Sequence, residues 1–501
     1  MPLLEDYLKT TSEDTRSKGA IAYLAALDHL AETSPSIQQE ILAELADERS
    51  HLKLIASENF SSLAVQLAMG NLLTDKYSEG YPRHRFYAGC EHVDAIEEEA
   101  ATLLKNIFKA EHAYVQPHSG ADANLVAIWS VLVERIENKA IEKLQKKGLN
   151  DLTADEYETI RQEMNRQKMM GMSLNSGGHL THGYRHNISS KIFQSFCYDV
   201  DPSTELLDYQ SLKKQVEQVR PLLLIAGYSS YPRRLNFAKL REIADSVGAV
   251  MMVDMAHFSG LVAGKVFRGE EDPVPYADLV TSTTHKTLRG PRGGFILCKK
   301  EFADTINKGC PLVLGGPLPH VIAAKAVAFR EASHPDFCTY AQKIVDNAQA
   351  LANALLQQGV RLVTGGTDNH LVVLNVSSFG LSGKQAESVL RAAHLTVNRN
   401  TVPFDPLGAW YTSGVRIGTP ALTTLGMGPQ EMKEIAALIV KILKNSRPAI
   451  AENGSKESKA HAVTDPRIAE EVQQRVKELL SHYPLYPEIS LKELGTTMKT
   501  S

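Results

Sequence analysis

A single lysine stands in the run TTHKTLRGPRGG, residues 283–294, directly after a histidine and ahead of a loop holding two arginines and three glycines. A lysine stem can simply cover apolar surface while its ammonium reaches water. In a partly desolvated pocket the charged form is disfavoured, and Lys286 then offers a free amine that can attack a carbonyl and form a Schiff base. Asp254 ends the apolar run AVMMVD, with His257 three residues on. A buried carboxylate there needs a cationic partner, either a structural Arg or Lys or a protonated pyridine nitrogen. In AYVQPHSGADANLVAIWSVL an extended run enters Ser119-Gly120 before apolar residues recur at helical spacing. Such a turn is an ordinary helix N-cap or a phosphate site, since it presents N–H groups, a hydroxyl and the positive end of a helix dipole. Neither GxxxxGK[ST] nor GxGxxG is present there, so nucleotide readings lack their signature. Phosphate turn, acid and lysine together describe the three handles of pyridoxal phosphate: its phosphate, its ring nitrogen and its aldehyde.

Two further groups bear on the site. His179, His182 and His186 in GGHLTHGYRH have spacings that could ligate zinc, so a metal hydrolase is a rival reading. Gly177, Gly178 and Gly183 interrupt the segment and disfavour a rigid helix aligning the three imidazoles; one histidine stacked on a flat cofactor is more economical, and no metal is expected. Arg416, in YTSGVRIGTPA, is either a surface arginine or a clamp holding a carboxylate through two parallel hydrogen bonds.

The elements that must position these residues are legible in outline. PLLLIA (221–226), the amphipathic 236–247 with Phe237, Leu240, Ala244 and Val247 on one face, and AVMMVD (249–254) read as strand, helix, strand. That implies a right-handed crossover and a parallel sheet with helices on both faces, where ligands gather at strand carboxyl ends. Domain division is expected as an N-terminal extension and helical arm over 1–50, a large domain over 51–330, and a smaller α+β domain over 331–501. Residues 134–170 read as a solvated helical insertion with Thr153 and Glu156 spaced as a capping box, and 451–463 as a flexible linker before a helix capped by Asp465 and Pro466.

Bulk properties narrow the class. The 501 residues carry 54 Lys+Arg against 58 Asp+Glu, a net charge of -4, so no overall basic field would gather nucleic acid or anionic lipid. The five cysteines form no CxxC pair, which argues for reduced thiols. The first thirty residues build no signal-type apolar stretch and no run is long enough for a membrane helix, so a cytoplasmic protein is expected.

LIASENF, DKYSEGYPRHRFYAGCEHVD, VQPHSG, GGHLTHG, VDMAHFSGLVA, STTHKTLRGPRGG, GGTDNH, TVNRNTVP and SGVRIGTPA occur in order over roughly residues 36 to 450, and together they resemble the serine hydroxymethyltransferase family. The resemblance implies an aspartate-aminotransferase-like type I pyridoxal-phosphate fold, α/β with a mostly parallel sheet and a smaller α+β C-terminal domain. It implies a homodimer or tetramer that interconverts serine and glycine with tetrahydrofolate. It makes Lys286 the Schiff-base lysine, Asp254 the partner of the pyridinium nitrogen, His179 the stacking histidine and His257 the one beside the ring hydroxyl. Ser119, Gly120, Ser229, Thr283 and His285 fall in phosphate- and ring-binding positions, and Tyr77 and Gly316 in positions reaching the phosphate of the neighbouring subunit. Ser57 and Arg416 match the carboxylate clamp, Glu79 the group handling the hydroxymethyl proton, Tyr87 the adjacent tyrosine, and Leu174 and Asn400 the folate contacts. Phe86 replaces a usual tyrosine, Ala88 a glycine, and CPLVLGGPLPH lacks a first glycine pair, which keeps alanine racemisation or a threonine-aldolase reaction at the same site as the alternative.

Overall fold

Short apolar runs alternating with amphipathic stretches become, in the computed structural model, strands and crossover helices; residues 2–450, 457–487 and 489 are described. Seven strands form the main sheet: β1 (His112–Tyr114), β2 (Lys168–Met172), β3 (Gln194–Tyr198), β4 (Leu223–Gly227), β5 (Val250–Asp254), β6 (Leu279–Thr283) and β7 (Gly294–Cys298). Their order is β1-β7-β6-β5-β4-β2-β3, and only β7 runs against its neighbours. Every position of β4 to β7 is buried, because helices cover both faces. Met251 and Val253 pack toward Phe258 and Phe295, whereas Val250 and Met252 face Ala127 and Val131. The register pairs Asp254 with Thr281 on the next strand, so the chain leaves β6 beside the carboxyl end of β5, and Lys286 lies three residues past that exit.

A second sheet is antiparallel, ordered β8-β9-β11-β10 from β8 (Arg361–Leu362), β9 (Leu371–Asn375), β10 (Asn398–Asn400) and β11 (Gly414–Gly418). The helices Asp336–Gln357 and Pro429–Lys444 close its core, where Leu351 and Leu355 meet Ile435 and Ile439. Arg416 occupies the middle of β11 between Val373 and Asn398.

Two local expectations are corrected. Residues 168–170 are not part of a solvated insertion: Met169 and Met170 are buried in β2, whose apolar run is too short to stand out against the charged helix before it. The helix Ala154–Asn165 does carry the Thr153–Glu156 capping box. Of the expected linker, 451–456 lies outside the described residues, and Glu457–Thr464 is a strand with alternating exposure that pairs with Ser446–Ile450. Small polar residues suit an exposed edge strand as readily as a linker. The following helix, Pro466–Ser481, is capped by Asp465 as expected.

Burying Leu355 completely contributes about 1.5–3 kcal/mol, to which truncation adds the cavity left behind. Leu355→Ala should therefore cost roughly 2–5 kcal/mol in chemical denaturation. Thr153→Ala, losing one exposed cap, should cost only about 0.5–2 kcal/mol.

Candidate active site

Asp254 is buried at the end of β5, and its environment is built from donors. Oδ2 accepts hydrogen bonds from Asn124 Nδ2 at 2.9 Å and His182 Nε2 at 3.0 Å, while Oδ1 accepts from the Ala256 backbone N–H at 3.0 Å. Burial opposes its charge, but the His182 and Asn124 hydrogen bonds outweigh it and hold the carboxyl well below the usual range. A carboxylate offers about four lone-pair positions, so three donors leave room for one more. Asn124 is itself fixed: it donates to Thr181 Oγ1 at 2.7 Å and accepts from Thr281 Oγ1 at 2.5 Å.

Lys286 stands across from this acid with no hydrogen-bond or ion-pair partner for its amine among the described residues. Burial brings it down to about 8 from 10.5; the Asp254 charge resists the change, and Arg416 and Arg292 add to it. Its backbone is anchored, since Asn59 Nδ2 donates to the Lys286 carbonyl at 2.9 Å and to Tyr340 Oη at 2.6 Å. Thr424 Oγ1 in turn donates to Asn59 Oδ1 at 2.7 Å.

Neutral imidazoles fill the surroundings. Burial lowers His179 to about 4, His285 to about 3 and His370 to about 3, and pushes His257 well below its ordinary value. His257 Nδ1 lies 3.2 Å from His370 Nε2 with the rings stacked. His285 Nδ1 and His370 Nδ1 are buried without partners. Arg292 and Arg416 supply fixed positive charge near the lysine; Arg416 Nη1 donates to the Ser229 carbonyl at 2.7 Å and its Nε donates to Asn398 Oδ1 at 3.2 Å. Burial lowers Arg416 to about 10, which leaves it charged at neutral pH.

Ser119 caps the helix Gly120–Leu132, its Oγ accepting from the Asp122 N–H at 3.1 Å. Gly120 is required by close approach: a Cβ there would lie 2.7 Å from Thr283 Cγ2. Ser119, Gly120 and Thr283 thus meet beside the exit of β6. Ser57 follows Ala56, whose Cα a side chain at Gly418 would touch, so it lies at the end of the strand carrying Arg416. Leu174 and His179 line one cavity of about 810 Å³ together with Arg185 and Lys191. Asn400 turns its amide to the Thr401 carbonyl, and Asn398 rather than Asn400 touches Arg416.

Tyr77, Glu79, Tyr87 and Gly316 form a separate group. The Tyr77 and Tyr87 rings meet edge to face at 5.0 Å, and Tyr87 Oη donates to Glu79 Oε2 at 3.4 Å. A Cβ on Gly316 would lie 3.8 Å from Tyr77 Cζ. Tyr77 is 58% exposed and Tyr87 46%, and among the described residues none of the four hydrogen-bonds to Lys286.

The three histidines of GGHLTHGYRH do not converge. His186 packs on Tyr184, whereas His182 and His179 approach Asp254, all three ligand atoms lying within 4.8 Å. Both His182 nitrogens are already engaged, Nδ1 by the His179 N–H at 3.2 Å and Nε2 by Asp254. Asn124, Asn59, His370 and the structural part of His182 went unrecognised in the sequence. Their one signal is a polar residue on an otherwise apolar face, as Asn124 is in LVAIW-type surroundings.

The donor set suits pyridoxal phosphate: a desolvated amine without a partner, an ionised acid with spare acceptor capacity, a capped helix N-terminus, and an arginine with hydrogen-bonding capacity left. The serine hydroxymethyltransferase family profile matches residues 30–148 and 151–439. The chain is 57% identical over 486 residues to a serine hydroxymethyltransferase of Treponema pallidum, covering 97% of this chain and 84% of the relative. It is 57% identical over 495 residues to one of Chlamydia trachomatis serovar D (98% and 99%), and 54% identical over 470 residues to one of Salinispora tropica (94% and 98%).

The electrostatics around Lys286 predict a pH response. In cofactor-free protein the amine should react with an acylating reagent with a midpoint near pH 8. Asp254→Asn, removing the charge that favours ammonium, should move the midpoint down; Arg416→Gln should move it up. Because the folded chain binds fewer protons than the unfolded one between about 8 and 10.5, its stability should rise with pH across that window. Labelling followed by peptide mapping reads the midpoints, and shifts in the opposite directions would contradict the assignment.

Proposed function

The chain belongs to the serine hydroxymethyltransferase family, enzymes of the type I pyridoxal-phosphate fold, and from that premise we propose that the cavity around Lys286 is where its reaction occurs. The activity is the reversible conversion of L-serine and tetrahydrofolate to glycine and 5,10-methylenetetrahydrofolate, with pyridoxal 5′-phosphate as cofactor. The observation carrying the site assignment is the partnerless, desolvated amine of Lys286 beside the buried Asp254 carboxylate on the adjacent strand.

When bound, the cofactor supplies an electron sink for a bond broken at the substrate Cα. This chain's residues bind it, orient it and move protons. Ser119, Gly120, Ser229, Thr283 and His285 are assigned to its phosphate and ring edge, Asp254 to its ring nitrogen and His179 to its flat face. His257, uncharged through burial, is assigned to the ring hydroxyl. Lys286, lowered to about 8, can hold or release a proton near neutral pH. Arg416 and Ser57 are assigned to the substrate carboxylate, and Leu174 and Asn400 to tetrahydrofolate.

Tyr77, Glu79, Tyr87 and Gly316 are assigned to the cavity of a second copy in a homodimer, Glu79 handling the proton at the hydroxymethyl carbon. Exposure of the large apolar side chains Leu72, Tyr77, Phe86 and Leu312 supports that reading. We read 51–330 as the cofactor-binding domain and 331–501 as the small domain. A cytoplasmic location agrees with free cysteines and with the finding that no helix of the described residues is long and apolar enough to cross a membrane. The racemase and aldolase alternatives are not favoured, since the relatives above carry the hydroxymethyltransferase name.

Assays of serine cleavage with and without tetrahydrofolate, run beside alanine racemisation, test the activity. Rapid glycine formation only with tetrahydrofolate is expected, and racemisation faster than serine turnover would contradict it. Arg416→Ala should raise KM for serine on the order of 10- to 100-fold through loss of a charge-assisted pair.

A further inference from the structure

A second lysine is buried against the main sheet. Lys325, on the helix Pro319–Ala332, is 1% exposed and makes no ion pair among the described residues. Its ammonium donates three hydrogen bonds, all to backbone carbonyls: Val115 at 2.6 Å, Pro117 at 2.9 Å and Gly294 at 2.9 Å. Three N–H groups meet three acceptors, which satisfies the head completely without a carboxylate. Burial brings it down to about 7, against the opposing charges of Glu97 and Asp122.

The acceptors are not scattered. Val115 and Pro117 are alternate residues of the extended run leaving β1, and Ser119 lies two residues beyond Pro117. Gly294 opens β7, and its own N–H donates to the Pro117 carbonyl at 2.9 Å. The two segments lie so close that a Cβ on Gly294 would come within 2.3 Å of the Ser119 carbonyl oxygen. A Cβ on Gly293 would strike Lys325 Cε at 2.5 Å. The head of Lys325 therefore sits under the turn that ends in Ser119 and Gly120, tying it to the strand that follows the Lys286 loop.

We propose that Lys325 is a positioning residue for the cofactor phosphate, holding the 115–119 run so that the Ser119–Gly120 N–H groups and hydroxyl converge on that group. This rests on the assignment of the Ser119–Gly120 turn to phosphate made above. The head of Lys325 donates to the 115–117 run and Gly294 and hydrogen-bonds to neither Lys286 nor Asp254 among the described residues, so its effect falls on the phosphate handle and leaves the ring and aldehyde handles in place. A lysine that merely satisfied the fold would, when replaced, weaken every ligand alike.

The test compares pyridoxal 5′-phosphate with pyridoxal, which lacks the phosphate, by titrating full-length cofactor-free protein and following absorbance. Lys325→Met keeps the stem and removes the three donors. It should weaken binding of the phosphate form by on the order of tenfold or more while changing pyridoxal affinity less than about twofold. Equal loss for both ligands, or no loss for either, overturns the proposal. Should Lys325→Met fail to fold, Gly293→Ala displaces the same head with a single methyl group, and the same selective loss is expected, equal loss again overturning it. Wild-type protein that bound pyridoxal as tightly as its phosphate would overturn the phosphate assignment beneath the proposal, and the proposal with it.

Discussion

Asp254 must stay ionised although it is out of water at the end of β5, and the donors that allow this reach it from separate elements: the helix after Ser119, the GGHLTHG turn and its own following backbone. A buried carboxylate stripped of such partners costs about 3–5 kcal/mol, so the charge dictates where those elements go. Asn124 cannot serve Asp254 unless Thr281 and Thr181 hold its amide, and Thr281 pairs with Asp254 across β5 and β6. Acid, helix and neighbouring strand are thereby fixed by one set of hydrogen bonds. That set also fixes the exit of β6 toward Lys286.

Around that pair the protein keeps charge scarce. Four histidines near the lysine are held neutral by burial, so the charges that act on Lys286 are those of Asp254, Arg416 and Arg292. In a low-dielectric cavity each of these interactions is stronger than it would be in water. The site also joins the two sheets. Arg416 on β11 reaches the Ser229 carbonyl beyond β4, and Asn59 links the Lys286 carbonyl to Tyr340 and Thr424. Small-sheet residues thus help set the position of the lysine as well as that of Arg416.

Much of this was legible in the sequence because the chemistry sits where strands and helices end. Asp254 ends an apolar run too uniform to be anything but a central strand, and Ser119 opens a helix whose spacing marks its start. The rest was not, for local physical reasons. His182 looked like a metal ligand because spacing does not reveal that both its nitrogens are already taken. Asn124 and Asn59 act through neighbours distant in the chain, which no local pattern records. β2 was hidden by a short MMGM run abutting a charged helix, and Glu457–Thr464 by small polar residues that serve an edge strand and a linker equally well.

The proposed site makes Lys286, and not Lys325, the residue joined covalently to the cofactor. Both Lys286 and Lys325 are lowered by burial, but among the described residues Lys325 has all its ammonium hydrogens engaged while Lys286 has none. Borohydride reduction of the loaded protein, followed by proteolysis and mass spectrometry, reads the attachment point directly. The pyridoxyl group is expected on the peptide containing Lys286; finding it on Lys325 or any other residue, or finding none in fully loaded protein, would contradict the account.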